Sequence, residues 1–249
     1  MPYELRYCAF VDILGFRNLL RTMAAEQIRR VLSSVRELPL GREAIAFGGS
    51  DLKFHSFSDN ICVSSKANLE GLSHILHSLE ALAVTLLDDG TLLRGAIVKG
   101  NLHHDVELVF GEALVRAYEL ESTVCIHPRI MLTREVATDA QALRTRLTED
   151  FVSEFIKQAD DGPFFLNVLV GIRSYMASDD LELRQSYIAR YNAMAHHLQQ
   201  RFDAAVDAPR HFEKVQWFAR FWNDTVRPYA GLIDKVNGPG VDPPVAVWG

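Results

Sequence analysis

Two aspartates stand where strand-like apolar segments end. Asp12 follows a β-type run and precedes Gly15, and Asp59 lies in the connection between the runs Leu52–Phe57 and Ile61–Ser65. A carboxylate at the tip of a core strand is costly to desolvate unless a cation or hydrogen-bond donors meet it. The pair therefore indicates a shared divalent-metal site that handles phosphates.

Each aspartate also has an ordinary structural explanation. Asp12 could cap the helix that follows Gly15, and Asp59 could be a hairpin-turn residue. Taken singly, each structural explanation is as good as the functional one. The metal site is favoured because both carboxylates come at strand ends of one predicted sheet.

The spacing of apolar residues predicts the elements that bring the two aspartates together. Apolar or alternating runs predict strands, and helical periodicity predicts amphipathic helices between them. The predicted strands are residues 5–12, 52–57, 61–65 and 92–99. One predicted helix follows Gly15, and a second spans residues 69–87. This β-α-β-β-α-β order is the ferredoxin-like split unit, an α+β fold. Its sheet would place Asp12 and the hairpin tip on neighbouring central strands, at the same end.

Further elements follow Gly100. An insertion-like stretch, a strand, a helix and a second strand are predicted at residues 101–105, 106–110, 112–121 and 128–132. Later residues are mainly helical apart from a strand-like segment at 162–170, with helices at 181–205 and 212–232. Adjacent His103 and His104 would point to opposite sides of a strand, so loop or interface roles are favoured over metal binding. We expect a catalytic core at 1–135, a mainly helical extension packed on it at 136–237, and a Pro/Gly-rich tail at 238–249.

The composition excludes several classes of protein. Of 249 residues, 48% are hydrophobic and 23% are charged, an ordinary globular balance. A formal net charge of −6 argues against a nucleic-acid partner, which needs a basic surface. The three cysteines lack zinc-type spacing and are typical of reduced core residues. With no secretion-signal pattern and no apolar stretch of membrane-spanning length, we expect a cytoplasmic protein without a membrane partner.

Several motifs together resemble a known enzyme family. The segment from Phe10 to Phe16, FVDILGF, resembles the F-x-D-I-x-G-F signature of class III nucleotidyl cyclases, whose second metal-binding aspartate lies in a downstream hairpin. More specifically, later segments resemble, in the same order, the bacterial pyrimidine cyclases of the Pycsar anti-phage systems. These segments are Ser56–Asn60, Leu93–Gly100, Val109–Leu114 with Ala117–Glu121, and Pro128–Ile130. The resemblance covers about residues 7–133.

The resemblance implies a reaction and its metal ligands. Such enzymes cyclise a nucleoside triphosphate by attack of its 3′-oxygen on the α-phosphate, with pyrophosphate as the leaving group. Divalent ions neutralise the phosphate charge and activate the hydroxyl. Asp12 and Asp59 would hold two Mn²⁺ or Mg²⁺ ions, and the backbone carbonyl of Ile13 would be a further ligand.

The nucleotide is expected to bind beside these ligands. The turn of Leu14, Gly15 and Phe16 opens a helix, and its backbone N–H groups would cradle the β- and γ-phosphates. His55 lies four residues before Asp59, where purine-specific relatives tend to carry a base-reading lysine. It is predicted to narrow the pocket or bind a pyrimidine edge, with a half-buried strand histidine as a nearly equal alternative.

The arginine that would stabilise the transition state is less clearly marked. Many class III cyclases carry an asparagine and an arginine on the helix after a Gly-Asp turn, but Val115 and Glu119 stand at those positions here. Arg94 lies within a predicted core strand and needs an anionic partner, either a structural carboxylate or a substrate phosphate. We favour Arg94 as the catalytic contact. Arg116 lies on a predicted helix and suits a surface ion pair. Arg129 follows a proline and could either contact the substrate or be structural.

The resulting interpretation is a homodimeric, metal-dependent cyclase with active sites at the dimer interface. By the resemblance, UTP is the favoured substrate and CTP a possible one, and cyclic UMP would signal to a separate effector in antiviral defence. A catalytically inactive nucleotide-binding module and a purine nucleotide cyclase remain alternatives. A diguanylate-cyclase relative is disfavoured because the Gly-Gly-Asp-Glu-Phe motif is absent from the sequence.

Overall fold

The described part of the computed structural model contains one mixed sheet with helices, an α+β fold. It comprises residues 3–16, 51–143 and 155–242, together with the single residues Leu20, Arg21, Ala24, Ala25, Glu26 and Arg29. The strands are β1 Glu4–Ile13, β2 Lys53–Phe57, β3 Asn60–Lys66, β4 Leu93–His104, β5 Val109–Phe110, β6 Ile130–Leu132, β7 Ile156–Gln158 and β8 Phe164–Leu166. The helices are α1 Leu69–Leu87, α2 Glu112–Glu119, α3 Arg134–Leu143, α4 Gly171–Met176, α5 Leu181–Ala205 and α6 Pro209–Val226.

The sheet has the strand order predicted for a ferredoxin-like core. Its path runs β2-β3-β1-β4-β6-β8-β7, and β5 pairs with β4. The contacts among β1 to β4 are antiparallel, whereas β6 runs parallel to β4. The predicted first helix, after Gly15, falls largely outside the described residues, although Phe16 is helical. The order of the strands confirms the predicted topology.

Strand β1 is the centre of the core because both of its edges are paired. Its residues Cys8, Ala9 and Val11 have no solvent exposure. On one face, Cys8 packs with Ala113 and Ala117 of α2. On the other, the Tyr7 hydroxyl donates to Asp139 of α3 at 2.8 Å. An apolar strand buried on both faces follows from this double cover.

Strand β4 is longer than the sequence analysis predicted. The stretch at 101–105 was expected to be an insertion, but residues up to His104 continue the strand. The prediction failed because the polar residues of this stretch alternate with side chains that face the core. Of these, Leu102 and His104 are buried. The strand predicted at 106–110 is also shorter, because the Asp105 carboxylate accepts the amides of Glu107 and Leu108 and forms a turn.

The chain divides into two compact units. The first contains residues up to Leu86 and Thr91–Val168, and the second contains Leu87–Gly90 and Leu169–Gly249. In the second unit, Asp180 caps α5 by accepting the Leu183 amide at 3.0 Å. The long helix predicted at 181–205 is confirmed. The predicted packing of a helical extension on the core stays a prediction, and residues 243–249 of the predicted tail lie outside the described residues.

The end of the last helix differs from the prediction. The helix expected to reach residue 232 ends at Val226 and continues as a 3₁₀ turn, Arg227–Tyr229. Pro228 removes an amide donor, so the α-helical hydrogen-bond ladder cannot continue through it. Within the described ranges, every helix is too short or too polar to cross a bilayer.

Candidate functional site

The candidate site lies at one end of the central strands. Asp12 is the penultimate residue of β1, opposite Asn60 of β3 on one side and Arg94 of β4 on the other. Residues paired across antiparallel strands share a face of the sheet. Asp12, Asn60 and Arg94 therefore form a polar row across three strands, and the Asp12 side chain is 18% exposed.

A tight hairpin carries Asp59 to the same end. Phe57 and Asn60 are paired, so Ser58 and Asp59 form a two-residue loop in which Ser58 has φ = 57°. The Asp59 carbonyl accepts the amide of Ile13 at 3.0 Å, which fixes the loop against the end of β1. The Asn60 amide donates to the Asp59 carboxylate at 3.3 Å. The two aspartates are thus held on adjacent strand ends.

The turn after β1 offers fewer free amides than predicted. The Leu14 amide donates to the carbonyl of Leu92 at 2.9 Å and is therefore engaged in the sheet. Gly15 follows with φ = 80°, a conformation that favours glycine, and Phe16 begins a helix with its ring buried. A phosphate-binding role for this turn would fall on the amides of Gly15 and Phe16.

Arg94 is paired with carboxylates. One guanidinium nitrogen forms an ion pair with Glu121 and lies 3.6 Å from the Asp12 carboxylate, and the other donates to the Cys125 carbonyl at 3.3 Å. Glu121 is only 4% exposed and lies on a π-helical turn, Leu120–Val124. Sequence reasoning required an anionic partner for Arg94 but missed Glu121, because the spacing of the two residues follows no local rule.

The other arginines have structural partners. Arg129 is buried and binds Asp161 through two hydrogen bonds of 2.7 and 2.6 Å, and this contact lowers the pKa of Asp161. Arg116 lies 3.6 Å from Glu112, one helical turn away, and also donates to the carbonyl of Lys99. These contacts account for both side chains without a substrate.

His55 lies on the same face of the sheet as Asp12. His55 is paired with Cys62, which in turn is paired with Phe10. Phe10 lies two residues before Asp12 in β1, so both side chains point to the same face. The His55 ring is 5.4 Å from that of His104. The neighbouring His103 instead binds Asp105, at 2.9 Å. The predicted separation of His103 and His104 to opposite faces follows from their consecutive positions in β4.

The donor atoms at this end of the sheet suit a hard divalent cation. Asp12, Asp59 and the carbonyl of Ile13 would offer oxygen alone, which favours Mg²⁺ or Mn²⁺ over zinc. Across the described ranges, no cluster of three or more His, Cys, Asp or Glu side chains forms a ready-made cage. A bound cation would therefore rely on two carboxylates, a backbone oxygen and oxygens from a substrate.

Comparison with solved structures finds nucleotide cyclase domains. The catalytic core of a rhodopsin-guanylyl cyclase, in complex with ATPαS, is 11% identical with a TM-score of 0.46, covering 67% of this chain and 97% of its own. A guanylyl cyclase domain from Blastocladiella emersonii is 12% identical with a TM-score of 0.46, and the match covers 67% of this chain and 96% of that domain. An adenylate/guanylate cyclase/hydrolase from Silicibacter pomeroyi is 18% identical with a TM-score of 0.42, and the match covers 67% of this chain and 96% of that chain. No protein-family model and no curated protein matches the chain.

Proposed function

We propose that this chain is a metal-dependent nucleotidyl cyclase that converts a pyrimidine nucleoside triphosphate to its 3′,5′-cyclic monophosphate and pyrophosphate. The observation that supports this most directly is the register of Asp12 with Asn60, together with the bond from the Ile13 amide to the Asp59 carbonyl. One aspartate at the end of a strand and one on the adjoining hairpin loop lie at the same end of the sheet, beside a glycine turn. This is the arrangement that charge neutralisation on a triphosphate requires.

The protein groups have separate tasks in this proposal. Asp12, Asp59 and the Ile13 carbonyl would hold the cations, and bound cations would supply positive charge to the phosphates and lower the pKa of the attacking hydroxyl. The amides of Gly15 and Phe16 would donate to the outer phosphates. The β1–β3 and β1–β4 pairing keeps these groups in place without reorganisation, which is the main protein contribution to phosphoryl transfer.

Arg94 is the proposed cationic contact to the reacting phosphate. Its partner Glu121 is buried and holds the guanidinium at the edge of the Asp12 row. Cation binding at Asp12 would weaken the 3.6 Å contact between Asp12 and Arg94, because both positive groups compete for one carboxylate. The guanidinium would then be available to the α-phosphate while still paired with Glu121.

The substrate and biological role are extensions of the resemblance in the sequence. UTP is the favoured substrate, and the product would act on a separate cyclic-nucleotide-sensing effector in anti-phage defence. Each active site would be completed by a second copy of the chain in a homodimer. The exposed side chain of Phe57, at the hairpin tip, is consistent with a partner at this end of the sheet.

The test is a product analysis with each of the four common ribonucleoside triphosphates and Mn²⁺. Mass spectrometry is expected to find cyclic UMP from the wild-type chain, and Asp12→Asn and Asp59→Asn are expected to lower turnover by at least about 100-fold. Asp207→Asn, at an exposed position of the second unit, is the matched control. Formation of no cyclic product from any nucleotide would contradict the proposed activity.

One alternative has its own support. A catalytically inactive nucleotide-binding module is favoured by Val115 and Glu119, both exposed on α2, at positions where many cyclases carry asparagine and arginine. Binding of UTP without turnover, measured by calorimetry on the wild-type chain, would select this alternative. Formation of cyclic AMP or cyclic GMP alone would instead select a purine cyclase.

A further inference from the structure

A buried polar chain lies on the same sheet face as Asp12. The Arg6 Nε–H donates to the Ser64 hydroxyl at 3.0 Å, and the Ser64 oxygen lies 2.8 Å from Nδ1 of His104. Arg6 and Ser64 have no solvent exposure and His104 has 3%. None of these three side chains takes part in the proposed metal or phosphate sites. In a buried network of this kind, each donated hydrogen needs an acceptor, because water cannot supply one.

Hydrogen accounting fixes the direction of the chain. Arginine can only donate, so the Ser64 oxygen accepts from Arg6 and its own hydrogen needs an acceptor. Within the described residues, Nδ1 of His104 is the acceptor in reach of that hydroxyl. Donation in the opposite sense, from His104 to Ser64, would leave the hydroxyl hydrogen buried without a partner. The network therefore runs from Arg6 to Ser64 to His104.

This direction decides which nitrogen of His104 carries the hydrogen. Because Nδ1 accepts, the neutral ring is protonated at Nε2. Burial, with smaller effects from His55, Arg6 and Lys53, lowers the pKa of His104 to about 4, so the ring is neutral at physiological pH. The Nε2 atom is buried and has no hydrogen-bond partner among the residues that the structure describes. His104 thus presents a fixed N–H donor that lacks an acceptor.

A second unsatisfied nitrogen lies next to this donor. Nδ1 of His55 is buried without a partner in the described part of the chain, and its ring is 5.4 Å from that of His104. Among the described residues no hydrogen bond fixes the tautomer of His55, in contrast to His104, so Nδ1 of His55 can donate or accept. The two histidines therefore form one fixed and one adaptable hydrogen-bonding group.

The separation of this pair from the aspartates suits a nucleotide. Along the strand direction, His55 lies two residues from the row that contains Asp12, a distance of about 7 Å. Across the sheet, β2 lies two strand spacings from β1, a distance of about 10 Å. A ribose between the α-phosphate and the base spans a distance of this order. The two histidines therefore lie within about one nucleotide length of Asp12, on the face of the sheet that carries the proposed metal site.

We propose that His104, oriented by Ser64 and Arg6, is a specificity-determining residue that donates to a ring carbonyl of the substrate base and rejects an amino group. This rests on the proposed function. Uracil presents a carbonyl at position 4 beside an N3–H, so His104 would donate to the carbonyl and His55 would accept from N3–H. Cytosine presents an amino group instead, and two donors would then face each other.

The same logic defines what the site does not select. Guanine carries a carbonyl beside an N–H in the same pattern, so the donor distinguishes keto from amino bases and leaves their size to other residues. Combined with the proposed pyrimidine preference, it selects UTP over CTP. A site that holds a buried donor in place rejects a mispaired base strongly, because the unmatched polar groups cannot return to water.

Competition between UTP and CTP tests the proposal. The wild-type chain is expected to favour UTP by at least about 100-fold in kcat/KM. Ser64→Ala frees the tautomer, and His104→Gln supplies an amide that can donate or accept, so each is expected to lower that ratio at least about tenfold. The matched controls are Ser65→Ala and His103→Gln, whose positions face away from the pair. An unchanged ratio in both test variants would overturn the proposal.

A spectroscopic measurement keeps the proposal separate from catalysis. Nitrogen-15 NMR of the histidine rings is expected to show His104 protonated at Nε2 in the wild-type chain and to show mixed tautomers in Ser64→Ala. An Nδ1-protonated ring in the wild type would refute the donor assignment whether or not the chain is active. If no nucleotide is cyclised, the proposed function fails, and equilibrium binding of UTP against CTP still decides the role of His104.

Discussion

Arg94 connects a buried carboxylate with a carboxylate of the proposed metal site. It pairs with Glu121, which is buried, and with Asp12, which is partly exposed. A buried carboxylate without its cation is strongly unfavourable, so Arg94 cannot leave Glu121 as readily as it can leave Asp12. The asymmetry makes Glu121 a positioning residue for Arg94.

We predict that Glu121→Gln weakens cation binding at Asp12. Without the buried carboxylate, Arg94 is expected to pair fully with Asp12 and to compete with the cation there. The dissociation constant for Mn²⁺ is then expected to rise about fivefold, which corresponds to about 1 kcal/mol of binding free energy. Electron paramagnetic resonance of free Mn²⁺ measures this constant. The exposed neighbour Glu119→Gln is the control, and equal affinities in the two variants would contradict the prediction.

His104 predicts a pH dependence of stability. Its folded pKa of about 4 lies below the ordinary value of 6.5, so the unfolded chain binds more protons between these values. Its stabilising contribution is complete above pH 6.5 and is lost as the pH falls toward 4, by about 3 kcal/mol in all. Asp105 opposes the effect of His55, Arg6 and Lys53 on this ring.

The measurement compares variants across the same range. Urea unfolding at several pH values between 4 and 7 is expected to give a shallower loss of stability for His104→Gln than for the wild type. His103→Gln should retain the wild-type slope. Parallel slopes for the wild type and His104→Gln would show that His104 does not titrate on unfolding in this range.

At the scale of the elements, the pairing of β1 with β4 leaves no room for a side chain at Gly95. Gly95 of β4 faces Val11, and a Cβ at this position would lie 2.5 Å from the carbonyl oxygen of Phe10 and 2.5 Å from Cγ1 of Val11. Backbone atoms cannot move aside without displacing the register. Gly95 therefore sets the spacing that brings its neighbour Arg94 to Asp12.

We predict that Gly95→Ala lowers the free energy of unfolding by about 2 kcal/mol or more, as overpacking in a core does. Gly100→Ala, in the same strand, is the graded control, because its Cβ would meet the Cβ of Ala113 at 3.3 Å. Denaturant unfolding should therefore rank Gly95→Ala below Gly100→Ala in stability. The reverse order would mean that the β1–β4 spacing can relax.

Elements with strong local patterns could be predicted from the sequence. The helices at 69–87 and 181–205 have the predicted bounds, because continuous amphipathic periodicity is a local property. The extension of β4 and the short strand β7 were missed. The extension of β4 pairs with the start of β1, nearly a hundred residues away, so no local window of sequence contains its partner. Strand β7 pairs with the nearby β8, but it has only three residues and is too short to show a strand pattern.

The candidate site divides in the same way. Asp12 and Asp59 could be recognised because their strands and hairpin are local features that meet by topology. Glu121 and Ser64 could not be linked to Arg94 and His104 from the sequence, since those contacts depend on three-dimensional packing. Side-chain partners of buried charges are therefore the part of this site that required the structure.

At the scale of the whole molecule, the proposed homodimer makes activity depend on concentration. We predict that sedimentation shows a dimer and that Phe57→Ser weakens it at least about tenfold, since an aromatic side chain that is 84% exposed would lose its apolar contact with the partner. Val206→Ser, at an exposed position in the second unit, is the control. A wild-type chain that remains monomeric at all concentrations would contradict the dimer.

The two aspartates are attached to parts of the sheet that open at different free energies. Strand β1 is hydrogen-bonded on both edges, so its amides can exchange with solvent only when the centre of the sheet unfolds. Asp59 instead sits on the loop of the β2–β3 hairpin, and among the residues that the structure describes β2 pairs with β3 alone. Local opening would therefore release Asp59 first, and the site would come apart from its hairpin side while Asp12 stays in place.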